Sequence, residues 1–330
     1  MLKILLIAVG ILFLLVMAAG LYMARFACLR KKNVPDYWTH PEALPPLYEH
    51  IAKKDYPMIE EGRQFLLRHT EPPVYITSRD GLRLQGHYIP PKCPPKGIYL
   101  QVHGYRSHPL CDFPGCAIQM HRDGYGLLLI DHRAGGGSEG KYIPFGLLER
   151  YDIADWCAYL HERFPGVPVV LDGVSMGGAA VMLASGEDLT PNVQGIIADC
   201  GYSSPAAICK KVLKQWFRLP PFPIYYAAVL WIRLLCGVWF SLPSGSDKAR
   251  YRTGDCGLAL EKNRLPVVMA HGEADGFVPH RMSVENFAHC NPETCELISV
   301  PGAEHGIAWL TDKERYNAAI CRLWDKIHSK

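Results

Sequence analysis

Neither sign of charge dominates this chain: 35 Lys and Arg stand against 32 Asp and Glu, a formal net charge of +3 over 330 residues. The basic residues are scattered rather than striped, which argues against a nucleic-acid partner. No internal repeat and no low-complexity tract is present, which excludes solenoid and fibrous architectures. None of the 12 cysteines forms a Cys-x-x-Cys pair. The five-residue steps Cys111–Cys116 and Cys290–Cys295 do not match a zinc-ligand spacing. The cysteines read as buried, inert thiols with no tight disulfide framework, and no motif asks for a metal or an organic cofactor.

Long uncharged runs are scarce too, with one exception. Ile4–Ala24 continues for 21 positions without a charge. As a helix it spans about 30 Å, the thickness of a bilayer's hydrocarbon core. It lacks the shorter apolar region and small-x-small cleavage site of a signal peptide, so residues 1–32 read as an uncleaved single-pass anchor in membrane lipid. Lys3 precedes the run, whereas Arg25, Arg30, Lys31 and Lys32 follow it. The positive-inside rule then puts the rest of the chain in the cytoplasm. Residues 33–73 begin with Pro35, Pro41, Pro45 and Pro46 and continue with an amphipathic helix pattern over Tyr56–His69. They read as a linker and N-terminal brace.

From residue 74 the pattern changes to short β-branched and aliphatic runs separated by helical stretches. Val74–Thr77 and Leu82–Ile89 flank Asp80-Gly81, a hairpin signal. Further strands are expected at Gly97–Val102, Leu127–Ile130, Val167–Leu171, Val193–Ala198, Pro266–Ala270 and Cys295–Val300, with a helix at about Leu147–Phe164. Eight strands alternating with helices imply a mostly parallel sheet covered on both faces. Ligands of such sheets lie beyond the carboxyl ends of the strands.

One strand ends in Gly173-Val174-Ser175-Met176-Gly177 and runs straight into the small-residue helix pattern Gly178–Ala184. A serine at the apex of a strand-to-helix turn needs small flanking residues, because its strained backbone leaves no room for neighbouring side chains. The helix start behind it favours developing negative charge. Two later strand ends offer partners: Asp275, in His271-Gly272-Glu273-Ala274-Asp275, and His305, in Glu304-His305-Gly306. The order Ser175, Asp275, His305 suits a nucleophile completed by a later acid and base. His305 would take the serine proton, and Asp275 would hold the imidazole in the required tautomer. Asp199, at the end of an earlier strand, competes with Asp275, which is preferred because its loop can reach under the histidine. Backbone N–H groups of Met176 and Tyr105 are the expected oxyanion donors. Asp131 and Arg133 read as a structural pair fixing the loop Ala134–Gly140.

Taken together, His103-Gly104-Tyr105-Arg106-Ser107, Asp131-His132-Arg133 with Ser138-Glu139-Gly140, Gly173–Gly178, Asp199–Ser204, His271–Asp275 and Glu304–Gly306 resemble an α/β-hydrolase over about residues 74–328. Within that superfamily the chain is similar to membrane-anchored bacterial hydrolases described as cell-surface hydrolases or serine peptidase-like proteins. The resemblance implies Ser175, Asp275 and His305 as the triad, an eight-stranded α/β-hydrolase fold over residues 74–330, and no cofactor. The cell-surface description implies the opposite side of the membrane from the charge rule, which is preferred here. One departure is Ala134, where the family commonly has glycine, and it puts the shape of that loop in question.

The segment at about 203–261 reads as a helical cap rich in apolar and aromatic residues, including Tyr225, Tyr226, Trp231, Trp239 and Phe240. A cap of this kind implies an apolar acyl pocket and a small-molecule ester substrate with a hydrophobic group. The expected function is a serine esterase or lipase-like hydrolase acting through an acyl-enzyme on Ser175. A peptidase or amidase with the same triad is the alternative, and a catalytically silent membrane-bound interaction module is the alternative of another class.

Overall fold

The structure is a computed structural model and describes residues 1–32, 34–47, 49–91, 94–217, 223–237 and 254–329. Eight strands form a single sheet in the order β1-β2-β4-β3-β5-β6-β7-β8. They are β1 Val74–Thr77, β2 Arg83–Ile89, β3 Ile98–Val102, β4 Gly126–Ile130, β5 Val169–Val174, β6 Val193–Asp199, β7 Val267–Gly272 and β8 Cys295–Val300. The hairpin forms where Asp80-Gly81 predicts it, with Val74 opposite Gly86. β2 is antiparallel to β4 as well, and every pairing from β4 through β8 is parallel.

Side chains alternate between two buried layers, as the period of two of a strand requires. Leu100, Leu128 and Leu171 enter one core, and Tyr99, Leu127, Leu129 and Val170 enter the other. Both faces need cover, which is why the strands read as continuous apolar runs. The cover comes from helices in chain order: α1 Leu2–Cys28, α2 Tyr56–His69, α3 Pro109–Asp112, α4 Pro114–Arg122, α5 Glu149–Arg163, α6 Met176–Ala184, α7 Pro205–Phe217, α8 Ile224–Cys236, α9 Cys256–Lys262, α10 Arg281–Phe287, α11 Ala308–Thr311 and α12 Lys313–His328. Every residue of α6 is buried. Its Gly and Ala content lets it lie close on the sheet directly behind Ser175.

Helix α1 is long and apolar enough to cross a membrane. Its first half stands free of the rest of the chain, whereas Gly20, Met23, Ala24 and Cys28 are buried. They pack on α8, where a Cβ at Gly20 would come within 2.5 Å of Ala227 Cβ. The indole N–H of Trp231 donates to the Met17 carbonyl at 2.9 Å. Past the helix, Leu29 pairs with Tyr142, and the Arg30 guanidinium donates to the carbonyls of Ser138 and Gly136 at 2.5 and 2.7 Å. At 13 residues α8 is too short to span a bilayer. Trp239 and Phe240 lie outside the described residues.

Two sequence expectations need correction. Arg133 does not pair with Asp131; it holds Asp80 at 2.8 Å and Asp152 at 2.6 Å, tying the β1–β2 turn to α5. Asp131 instead accepts the N–H of Gly137 at 2.9 Å, so it helps to fix the glycine-rich loop without Arg133. The thiols are not uniformly buried: all the described cysteines are free, but Cys321 is exposed and Cys290 and Cys295 are half-buried. Sequence spacing says nothing about depth when a residue lies at the rim of the fold. Ala134 sits at φ 60°, the left-handed region that favours glycine. The loop therefore keeps the glycine-like conformation at some backbone strain.

Candidate active site

Ser175 lies between β5 and α6 at φ 58° and ψ −114°. This conformation is costly for a residue with a side chain, and contacts on every side enforce it. A Cβ at Gly173 would meet the Gly177 carbonyl, and one at Gly177 would run into the Val102 carbonyl. The Ser175 N–H is held by the Asp199 carbonyl at 2.8 Å, and the Ser175 carbonyl accepts from Ala179 at 3.0 Å. The hydroxyl is thereby pushed out at the carboxyl end of the sheet.

His305 and Asp275 come to the same place from the loops after β8 and β7. The His305 ring has Nε2 3.0 Å from Ser175 Oγ and Nδ1 2.7 Å from Asp275 Oδ2. A carboxylate can only accept, so Nδ1 carries the proton and Nε2 is left to accept from the serine hydroxyl. Asp275 Oδ1 accepts the N–H groups of Phe277 and Val278, each at 2.8 Å. Burial works against the Asp275 charge, but hydrogen bonds from His271 and His305 hold the carboxyl well below the usual range. The carboxylate is therefore ionised at neutral pH.

The remaining sequence candidates also lie at this edge. Met176 is the first residue of α6, where an N–H has no acceptor within its own helix. Tyr105 follows Gly104 on the loop after β3, and a Cβ at Gly104 would lie 3.3 Å from Ser175 Cβ. Asp112 holds that loop by accepting the Gly104 N–H at 2.7 Å. Asp199 lies behind the serine, and no pair joins it to His305 among the described residues. Burial pushes its carboxyl up to about 6. Asp172, one strand neighbour away, is pushed up by burial to about 7, although the Gln101 amide donates to it at 2.9 Å.

Two positioning residues escape the sequence reading. His271 is wholly buried; its Nε2 faces Asp275 Oδ2 at 3.1 Å and the Val278 carbonyl at 2.9 Å, and its Nδ1 lies 2.5 Å from Ser283 Oγ. It holds the same carboxylate oxygen as His305 does, and its place four residues before Asp275 is the signal that could have found it. His50, from the segment read as a brace, donates from Nε2 to the His305 carbonyl at 2.9 Å. Nothing in its sequence context points there, because the contact spans 255 positions. Among the described residues, Cys200, Asp275 and His305 could hold a metal ion, with ligand atoms within 4.8 Å of one another. Two of these groups are already committed to each other, and burial holds the Cys200 thiol protonated, far above its ordinary range.

Two cavities meet at the serine. The larger, about 700 Å³, has mixed walls that include Gly104, Ser107, Asp112, Glu304 and His305. The smaller, about 90 Å³, is walled by apolar and aromatic side chains of α1, α7 and α8. Phe26, Tyr105, Ser175 and Phe277 line both.

The sequence model of the serine aminopeptidase (S33) family matches residues 93–250. Among curated proteins, the chain is 21% identical to the uncharacterised protein YqkD of Bacillus subtilis, over 99% of this chain and 98% of that one. It is 24% identical to the uncharacterised protein YfhR of Escherichia coli, over 70% of this chain and 72% of the other. Among solved structures it resembles the Pyrococcus furiosus esterase Pf2001, with a TM-score of 0.60 at 19% identity, covering 86% of this chain and 97% of the esterase. It also resembles Est1E from Butyrivibrio proteoclasticus, solved with ferulic acid bound, with a TM-score of 0.53 at 20% identity, over 78% and 98% of the two chains. The sheet order, the strand–serine–helix turn and these matches agree: the chain has the α/β-hydrolase fold, and part of it is similar to the serine aminopeptidase (S33) family.

Proposed function

We propose that this hydrolase cleaves carboxylic esters through an acyl-enzyme on Ser175. The observation that carries the reading is the unbroken relay Ser175–His305–Asp275, at 3.0 and 2.7 Å. Ser175 Oγ attacks the ester carbonyl carbon while His305 Nε2 takes the hydroxyl proton. Charge collects on the carbonyl oxygen, where the backbone N–H groups of Met176 and Tyr105 serve as donors. The tetrahedral adduct collapses, the carbon–oxygen bond to the alcohol breaks, and the alcohol departs with the proton held by His305. Water then repeats the sequence on the acyl-serine. It gives its proton to His305, which returns it to Ser175 Oγ as the carboxylic acid is released. Asp275 stays ionised throughout and stabilises the imidazolium.

The same relay cleaves amides, and the match to the serine aminopeptidase family favours an amidase or peptidase as the second reading. Labelling with a fluorophosphonate separates an active hydrolase from a silent module: Ser175 reacts, and Ser175→Ala abolishes the signal. Matched p-nitrophenyl ester and p-nitroanilide panels then rank the two bond types. An unlabelled Ser175 in folded protein sinks the enzymatic reading.

In this reading residues 1–32 anchor the protein, residues 33–73 brace the site, and the segment at about 203–261 caps it. The apolar length of α1 supports a single-pass anchor. The charges that follow it support a cytoplasmic catalytic domain.

A further inference from the structure

The smaller cavity is bounded by something unexpected of an anchor. Sixteen residues line it, and all but Ser175 are apolar, aromatic or cysteine. Met23, Phe26 and Ala27 come from the last two turns of α1, facing Val212 and Leu213 of α7 and Ile232 of α8. These turns do not hang loosely over the opening. The Tyr105 hydroxyl donates to the Ala27 carbonyl at 2.5 Å, and the Arg106 guanidinium donates to the carbonyls of Phe26 and Leu29 at 2.6 and 3.0 Å. The loop that lies beside Ser175 thus caps the free carbonyls at the end of α1, where a helix has no donors of its own.

We propose that α1 is part of the substrate site: its final turns wall the acyl pocket of the enzyme and set which acyl groups reach Ser175. The proposal rests on the serine-hydrolase reading above and adds the acyl class. With Ser175 on the boundary between the two cavities, an acyl-serine has an apolar side and a mixed side. The apolar side suits the hydrocarbon of the acid, and the roomier mixed cavity suits the leaving group. At about 90 Å³ the apolar pocket is smaller than the ~150 Å³ apolar cavity that accepts a benzene ring. It therefore takes a linear chain of a few carbons and rejects a ring. The substrate class is an ester of a short, unbranched fatty acid, and the residues that set its length are Met23 and Phe26.

The experiment uses the full chain in nanodiscs with p-nitrophenyl esters from acetyl to octanoyl, plus benzoyl. The native protein is expected to prefer butanoyl over acetyl and over benzoyl. Met23→Trp fills the pocket and is expected to lower the butanoyl-to-acetyl ratio of kcat/KM at least tenfold. Phe26→Ala enlarges it and is expected to move the optimum to longer chains, a gain that misfolding cannot imitate. Phe13→Ala, on the 62% exposed part of α1, keeps the native profile. Fluorophosphonate labelling of Ser175 reports that each variant is folded. If labelled Met23→Trp and Phe26→Ala both keep the native profile, α1 is only a tether and the proposal is overturned, while the hydrolase reading stands. If Ser175 in the native protein fails to label, both fall together.

Discussion

At the scale of the residue, the grip on Asp275 has a measurable cost and benefit. His271 and His305 approach the same carboxylate oxygen from two directions, at 3.1 and 2.7 Å. A carboxyl held below its unfolded value contributes stability that is present above about pH 4 and lost as pH falls further. His271→Ala removes one partner and leaves a cavity. The variant is expected to lose roughly 2–4 kcal/mol at pH 7, within the span of buried truncations and broken buried pairs. The gap from the native protein is expected to be smaller at pH 3, where the carboxylate contribution has begun to be lost, and thermal melts at the two pH values check it. kcat is expected to fall about tenfold with KM little changed, because His271 positions the acid and touches no substrate. A gap that is equal at both pH values would make His271 a packing residue only. Ser175, Asp275 and His305 were legible in the sequence because each follows the end of a strand with a glycine close by. His50 and Asp172 were not. The first acts across 255 positions, and the second lies inside a strand whose neighbours give no hint that a carboxyl is buried there.

Among the elements, the contact between α1 and α8 is the one most exposed to a single change. Gly20 lies against Ala227 and Ala228 with no space for a side chain. Small residues at such crossings let backbones approach closely, and dispersion rather than water-driven burial then holds the pair. Gly20→Leu is expected to separate the two helices. The readouts are faster proteolysis within α7 and α8 and a melting temperature lower by a few degrees; native cleavage rates would count against this contact as a stabilising one. The hairpin, the parallel strands and α2 followed from the sequence, since alternation, Asp-Gly and helical periodicity are local signals. The order of the strands and the partners of Arg133 did not follow. They depend on which segments meet after long crossovers, and Arg133 finds Asp80 and Asp152 on either side in sequence.

For the molecule as a whole, the charges at the end of α1 serve two purposes. Arg25, Lys31 and Lys32 add to the positive flank, and Arg30 does so while binding the Ser138 and Gly136 carbonyls. A cytoplasmic domain predicts that a C-terminal green fluorescent protein fusion glows and an alkaline phosphatase fusion is silent. The opposite pair of results would put the domain outside. On either side, the join after α1 is not a slack tether. Leu29 is already paired with Tyr142 in the next stretch of chain. Under the proposed anchor reading, an enzyme on a long leash would sample many heights and tilts above a bilayer, whereas one clamped this way would hold its catalytic mouth near one height. On that proposal the geometry of encounter is built into the fold, and a substrate would have to come to that level to be hydrolysed.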